Sequence, residues 1–438
     1  MKRYLIILGL LQAFIMHSQE GIKSFSLDEA INYALEHNRT AKKASLDILS
    51  AEKQKWETTT IGLPQISGSI DYQNNIERQF GAVDFDGNGI TDFGAKQSII
   101  AGIQATQLLF DGSYIVGLQS AKVFLEISKN AKEKTDLEVR KAVINAYGNV
   151  LLAEESVNIL ERNVAVLSKN LDETSKIYEN GLGEEENVEQ LQITLSSVKS
   201  NLNNTKRLKT IGYQMLNITI GLPIDVKLTL TDNLENLTKE NIVLGLLQAD
   251  ESIENNIDYR IAQNDKKSKE LLVKLERSKF LPTLNTFINA NYIGYNEKFR
   301  FLENEQPWVP TSSFGVSLKI PIFNFSGKQA ATQRAKINLE KSIEDLNETK
   351  QQLQLEITSA KSDYQFSIEE YENKKQNLSL AERIEQKNQT KFFEGIASSF
   401  DLRQAQTQLY SSQQEYLQAM LDVINKKAAL ETVLNTIN

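Results

Sequence analysis

Apolar positions along this chain follow two periods. From Val139 to Tyr178 they step by four and three, at Val139, Val143, Ala146, Val150, Ala153, Val157, Leu160, Val164, Leu167, Leu171 and Tyr178, with Thr174 the one polar member. A repeat of 3.5 residues held this long predicts helices that supercoil left-handedly, because an unbent α-helix drifts about 20° per heptad from that repeat. After the break Tyr178-Glu-Asn-Gly181-Leu-Gly183, a second seam at Val188, Leu191, Leu195, Val198 and Leu202 predicts a helix returning along the first. From Gly112 to Tyr178 the pattern covers about 65 residues, about 100 Å of helix.

The same hairpin pattern recurs about 214 residues later, so the chain reads as an internal duplication. Leu353, Ile357, Ala360, Tyr364, Tyr371, Leu378 and Ala381 repeat the first seam, and Phe392-Phe-Glu-Gly395-Ile-Ala repeats the break. Leu402, Ala405, Leu409, Tyr416, Ala419, Val423, Leu430 and Val433 form the returning seam.

Ahead of each hairpin the period shifts to two. Ser26-Leu-Asp-Glu29 is a capping-box start for a helix reaching about Thr59, and Leu63-Pro64 and Leu281-Pro282 end the paired leading helices. Four alternating stretches follow, near 65–78, 98–110, 283–295 and 313–323. In the first, Ile66, Gly68, Ile70 and Tyr72 share one face and Gln65, Ser67, Ser69, Asp71 and Gln73 the other. Strands of about ten residues with one apolar and one polar face suit a tilted membrane span around a wet lumen. A soluble sandwich hiding the apolar faces is the competing arrangement. Four strands cannot close a barrel and lipid does not tolerate open edges, so several chains would each supply a sector. The divisions expected are a signal peptide over 1–18, a first repeat over 19–223, a collar segment over 224–258 and a second repeat over 259–438. The collar contains a short possible strand at Lys227-Leu-Thr-Leu230 and another helix.

Charge and composition narrow the function. The net charge of −8 gives no basic footprint for nucleic acid. With no Cys, disulfides, thiolate metal sites and an N-terminal lipid-carrying Cys are excluded. Two His, at 17 and 37, leave no His cluster for a metal site, and no nucleophile, base and oxyanion arrangement stands out. No catalysis and no cofactor are expected. Lys2-Arg3 followed by an apolar run from Tyr4 to Met16 reads as an export signal with cleavage near Ser18. The loop Asp84-Phe-Asp86-Gly-Asn88-Gly-Ile-Thr-Asp92 is similar to the start of a calcium loop. It departs from that pattern in that Ile90 comes one position early and Ala95 stands where a Glu is needed. The bland alternative is a flexible acidic loop.

Capped helix, Leu-Pro, two amphipathic strands and a long hairpin, given twice, resemble the TolC-like outer-membrane efflux protein family. The residues that carry the resemblance are Ser26-Leu27-Asp28-Glu29-Ala30, Glu36-His-Asn38, Gly62-Leu-Pro64, Gln107-Leu-Leu-Phe110-Asp-Gly112 with Ile320-Pro-Ile-Phe323, and the turns at Gly181 and Gly395. The resemblance implies an α+β membrane protein in which three chains, with four strands each, form a twelve-stranded transmembrane β-barrel. The barrel would continue as a long α-helical coiled-coil tunnel across the periplasm. The function it implies is an outer-membrane exit duct of a tripartite efflux pump or type I secretion system. The partners it implies are a periplasmic adaptor protein, an inner-membrane transporter and outer-membrane lipid. Asp401, with Gln404 where well-known members carry a second acid, and their first-half counterparts Asn187 and Gln190, would line the periplasmic constriction. Asn180-Gly181-Leu182 and Glu394-Gly395-Ile396 would be the adaptor-contacting tips. Helix capping is the plain alternative for Asp401, and chain reversal for the two glycines. An exported structural or adaptor-like coiled-coil protein without channel activity is the alternative function.

Overall fold

A computed structural model describes residues 23–77, 95–249, 252–323 and 325–435. The signal-peptide reading and the calcium-like loop at Asp84, Asp86, Asn88 and Asp92 lie outside these residues. The chain divides into two units.

One unit takes the chain up to Leu46, Asn130–Arg260 and the part from Thr349. It opens with strand β1 (Lys23–Phe25) and helix α1 (Leu27–His37), and the start of helix α2 (Arg39–Thr60) follows. The sequence predicts one helix from Ser26 to about Thr59, but the chain breaks at Asn38. There the Asn38 Oδ1 accepts from the N–H groups of Thr40 and Ala41 at 2.7 and 3.2 Å, while its Nδ2 donates to the Thr219 carbonyl at 2.7 Å. An Asx cap of this kind gives the backbone an alternative to the continuing helix. The predicted capping box is present, with Ser26 and Glu29 exchanging backbone and side-chain hydrogen bonds.

The long helices are α3 (Gly112–Glu179), α4 (Glu185–Ile220), α7 (Gly327–Phe393) and α8 (Ser399–Leu434). Along α3 the seam residues Val139, Val143, Val150, Val157 and Leu167 are buried, and the seam opens only at Tyr178. The second seam is equally buried at Leu353, Ile357, Tyr364, Tyr371 and Ala381. Between the hairpins run strand β4 (Leu228–Leu230) and helix α5 (Leu234–Glu240), and β4 pairs in parallel with β1. Leu228, Leu234, Leu237 and Leu246 join the same core as Val143, Tyr147 and Ile424.

Two buried tyrosines of the long helices fasten these segments. The Tyr147 hydroxyl lies 3.0 Å from the Phe25 carbonyl and 2.7 Å from Asp232 Oδ2. Burial and the Asp232 carboxylate push that hydroxyl far up from the ordinary phenol range. Tyr364 donates to the Asn241 carbonyl at 2.6 Å and accepts from Val243 N–H at 2.9 Å. Helix α6 (Ile257–Ser278) starts after Asn256. The Asn256 side chain accepts from Asp258 N–H at 2.8 Å and donates to the Val433 carbonyl at 2.6 Å, the arrangement already seen at Asn38.

The other unit, Asp47–Lys129 and Ile261–Glu348, holds the strands β2 (Gln65–Asn74), β3 (Gln97–Phe110), β5 (Thr283–Asn296) and β6 (Trp308–Lys319). They form one antiparallel sheet in the order β2-β3-β5-β6. β6 begins five residues before the expected Ser313 and stops at Lys319 rather than near Phe323. Pro310, which lies ahead of the expected strand, is part of β6 and pairs with Tyr292; within this sheet β6 is an edge strand, where a missing N–H is tolerated. Val116 and Val123 of α3 pack with Leu271 of α6. Tyr114 donates to the Thr59 carbonyl at 3.0 Å, fixing the entry of α3.

Candidate functional site

Three features of this chain carry chemistry: the two hairpin turns, a layer of buried amides near them, and the sheet.

The turns close alike. Leu182 N–H donates to the Ile177 carbonyl at 3.1 Å and Ile396 N–H to the Lys391 carbonyl at 2.8 Å, around Gly181 and Gly395 with φ of 74° and 75°. These six-to-one bonds mark Schellman caps, in which the apolar residue after the glycine ordinarily folds back onto its own helix. Here Leu182 and Ile396 stay 82% and 71% exposed. Asn180 caps the end of α3 by donating to the Lys176 carbonyl, and Glu394 is exposed beside Gly395.

After the turns the two returning helices start differently. Asp401 sits in a capping box with Ser398: its carboxylate accepts from Ser398 Oγ at 2.7 Å and Ser398 N–H at 3.0 Å, and Asp401 N–H donates to Ser398 Oγ at 3.2 Å. The Ser398 hydroxyl, then the Ser398 N–H, hold this exposed carboxyl below its usual range. Gln404 is exposed one turn on. At the first turn Glu184 gives no side-chain cap, and Glu185 and Glu186 favour the helix start through its dipole. Asn187 is half-buried, and Gln190 buries an Oε1 that has no partner.

Sequence reasoning missed the amide layer. Asn163 Nδ2 of α3 donates to Gln413 Oε1 of α8 at 2.9 Å, and Gln389 Nε2 of α7 donates to Asn170 Oδ1 of α3 at 3.0 Å. Gln406 of α8 is 1% exposed. The available signal was spacing, since Asn163 and Asn170, and Gln406 and Gln413, stand one heptad apart on the flanks of the seams.

In the sheet, register sorts residues by face. Ile66 pairs with Ala105, Ala105 with Ile288, and Ile288 with Phe314. One position away, Ser67 pairs with Gln104, Gln104 with Asn289 and Asn289 with Ser313. The expected apolar and polar faces are therefore real, and the apolar one is bare: Ile66, Ile70 and Phe314 are 74%, 77% and 70% exposed. Tyr72, Phe299 and Phe301 stack edge to face at one end of it. Among the described residues the outer sides of β2 and β6 have no partner strand. No helix among the described residues is long and apolar enough to cross a membrane, which says nothing of strands.

The model of the outer membrane efflux protein family matches residues 30–221 and 249–436. The chain belongs to that family. The outer membrane protein TolC of Vibrio cholerae is 21% identical over 378 residues, covering 86% of this chain and 83% of TolC. Among solved structures, the outer membrane protein VceC of Vibrio cholerae superposes with a TM-score of 0.73 at 16% identity, covering 93% of this chain and 95% of that one. The CmeC outer membrane channel of Campylobacter jejuni gives a TM-score of 0.73 at 17% identity, covering 93% and 85%. These likenesses establish a shared fold, and membership in the family makes this an outer membrane protein.

Proposed function

We propose that three copies of this chain join β6 of one to β2 of the next in a twelve-stranded barrel, continued by the long helices as a periplasmic tunnel. The assembly serves as the exit duct for an inner-membrane transporter, reached through a periplasmic adaptor. The observation that carries this reading is the sheet, with an exposed apolar face, a polar opposite face and two unpaired edges. Lipid would cover the first, water the second, and neighbouring copies the edges. The chain is internally duplicated in this reading. Equivalent Schellman turns at Gly181 and Gly395, and equivalent clamps at Asn38 and Asn256, support that duplication.

The exposed tips Asn180-Gly181-Leu182 and Glu394-Gly395-Ile396 meet the adaptor, because each presents an apolar residue that its own helix does not cover. Asp401, with Gln404, Asn187 and Gln190, lines the periplasmic constriction, and capping does not compete with that role, since the Asp401 carboxylate remains exposed.

The test is assembly and conductance together. Cross-linking in detergent should trap a trimer, and planar-bilayer recording should show channels. A monodisperse monomer that stays in solution without detergent would sink this reading and favour an exported coiled-coil protein without a pore.

A further inference from the structure

The face of the sheet that carries Ser67, Gln104, Asn289 and Ser313 changes character toward the loop ends of its strands. Two positions further along β2, Ser69 pairs with Gly102, Gly102 with Asn291 and Asn291 with Thr311. Two positions beyond that, Asp71 pairs with Ile100, Ile100 with Ile293 and Ile293 with Val309. Side chains alternate across a strand, so this last row lies on the polar face although Ile100, Ile293 and Val309 are apolar.

Sheet packing alone does not account for the row. Phe287, at the other end of the same face, lies over Gly315, where a Cβ would come within 2.4 Å of its ring. Ile100 and Val309 stand 38% and 49% open instead, and Ile293 is half-buried between them. Contact between β-branched side chains stabilises strand pairing anywhere on a sheet, but it does not call for a carboxylate at the end of the row. Charge is scarce here, since β2, β3, β5 and β6 contain two charged residues, Asp71 and Lys319. Lys319 lies about 33 Å from Val309 along β6. Glu77 and Lys96 fall beyond the paired strand ends at Asn74 and Gln97. Asp71 is exposed and makes no ion pair among the described residues.

An exposed carboxylate that heads a row of apolar side chains is the complement of a cationic group carrying an alkyl tail. We propose that Asp71, Ile100, Ile293 and Val309 form a binding site for an amphipathic organic cation, its head at Asp71 and its tail laid across the other three. Strands about 4.8 Å apart put Ile293 about 10 Å and Val309 about 14 Å from Asp71, within reach of a single alkyl chain. An inorganic cation makes no use of the apolar row, and an uncharged apolar molecule makes no use of Asp71. In the assembled ring this face lines the lumen and each chain supplies one such site, a placement that rests on the duct reading. A wall site of this kind holds its occupant weakly, which suits conduction because a passing molecule must also leave.

Planar-bilayer recording of the full-length protein, with tetramethyl-, butyltrimethyl- and octyltrimethylammonium added on the loop side, is the test. Block should strengthen about twofold with each added methylene, because an open wall takes about half of each one out of water. Octanoate should not block. Asp71→Asn should weaken block by octyltrimethylammonium about fivefold, the value of one ion pair at about 4 Å in water. Ile293→Asn should flatten the dependence on tail length; Asn289 and Asn291 stand on the same face of the same strand, so an Asn fits there. Should that variant fail to assemble, Val309→Thr replaces it and should cut the gain from butyl to octyl. Lys319→Gln should match the wild type. The constriction at Asp401 also attracts cations, but it gives no reason for block to depend on Ile293. A tail-length dependence that survives Ile293→Asn, or block unchanged in Asp71→Asn, overturns the site and leaves the duct standing. If no channels form, the duct reading fails and the site is decided by ligand line broadening. The octyltrimethylammonium methyl signal is then recorded with protein in neutral-lipid nanodiscs, with empty nanodiscs subtracted. Broadening lost in Asp71→Asn upholds the site, and broadening that is absent, or equal in both, overturns it.

Discussion

Asn38 and Asn256 each act twice, as the cap of the helix that follows and as a clamp on the end of a returning helix. Removing the Asn38 side chain leaves the N–H groups of Thr40 and Ala41 and the Thr219 carbonyl without it. Loss of a cap costs about 1 kcal/mol and loss of the donor bond about another 1, so Asn38→Ala should lose about 2 kcal/mol. Asn38→Ser keeps a capping oxygen and should lose only the clamp, about 1 kcal/mol. Asn256 is 3% exposed, so Asn256→Ala should reach the upper end of the same range, because water cannot replace its partners. Urea unfolding in detergent, followed by the helical circular dichroism signal, measures these losses as midpoint shifts at constant slope. If Asn38→Ala and Asn38→Ser shift the midpoint equally, the capping half of the argument is wrong. If neither alanine variant moves stability by more than about 0.5 kcal/mol, both halves are wrong.

Three further outcomes are expected. Gly221→Ala should lose roughly 3 kcal/mol, since its φ is 91° and a Cβ would sit 2.4 Å from the His37 carbonyl oxygen; Gly181→Ala, at φ 74° with nothing within 4 Å, should lose only about 1 kcal/mol, and equal thermal shifts would contradict the steric account. Leu160→Asp, placed against the cluster of Leu167, Leu191 and Leu195, should lose about 2–3 kcal/mol, and unchanged melting would mean that this face is solvated. Asp401→Asn should reduce cation selectivity in planar bilayers and raise exchange in the first turn of α8. Because capping lowers the Asp401 carboxyl, its contribution to that turn is present above the unfolded value of 3.8 and is lost as pH falls through the folded one. Unchanged selectivity would leave Asp401 as a cap alone.

The seams were readable in the sequence because helix packing is written directly as a period, and Val143, Val150, Ile357 and Tyr364 are buried where that period puts them. Alternation likewise foretold which faces of the strands match, since pairing in register keeps Ile66 and Phe314 on one face. The break at Asn38 was hidden because the apolar stripe continues through Leu35 and Ala41, and the partner that stabilises the break, the Thr219 carbonyl, is remote in sequence. β1 was hidden for the same reason: three residues show no period, and only pairing with β4 makes them a strand. Asp401 was legible as a cap because Asp favours the first turn of a helix, and the structure adds Ser398 as its partner in the box. Gln406 was marked only by its heptad spacing from Gln413, and spacing alone does not tell a buried Gln from an exposed one.

The two open edges of the sheet bear on inheritance as much as on architecture. In a ring closed by copies of one chain, every joint needs one sound β2 and one sound β6, and a single faulty edge leaves backbone groups facing hydrocarbon. A variant that folds but carries a spoiled edge, such as a second proline in β6 beside Pro310, would still enter rings with normal chains. In the proposed ring of three, with equal amounts of both and random mixing, only about one ring in eight would contain three sound chains. Such a variant would behave as a dominant poison, whereas one that never folds would merely halve the supply.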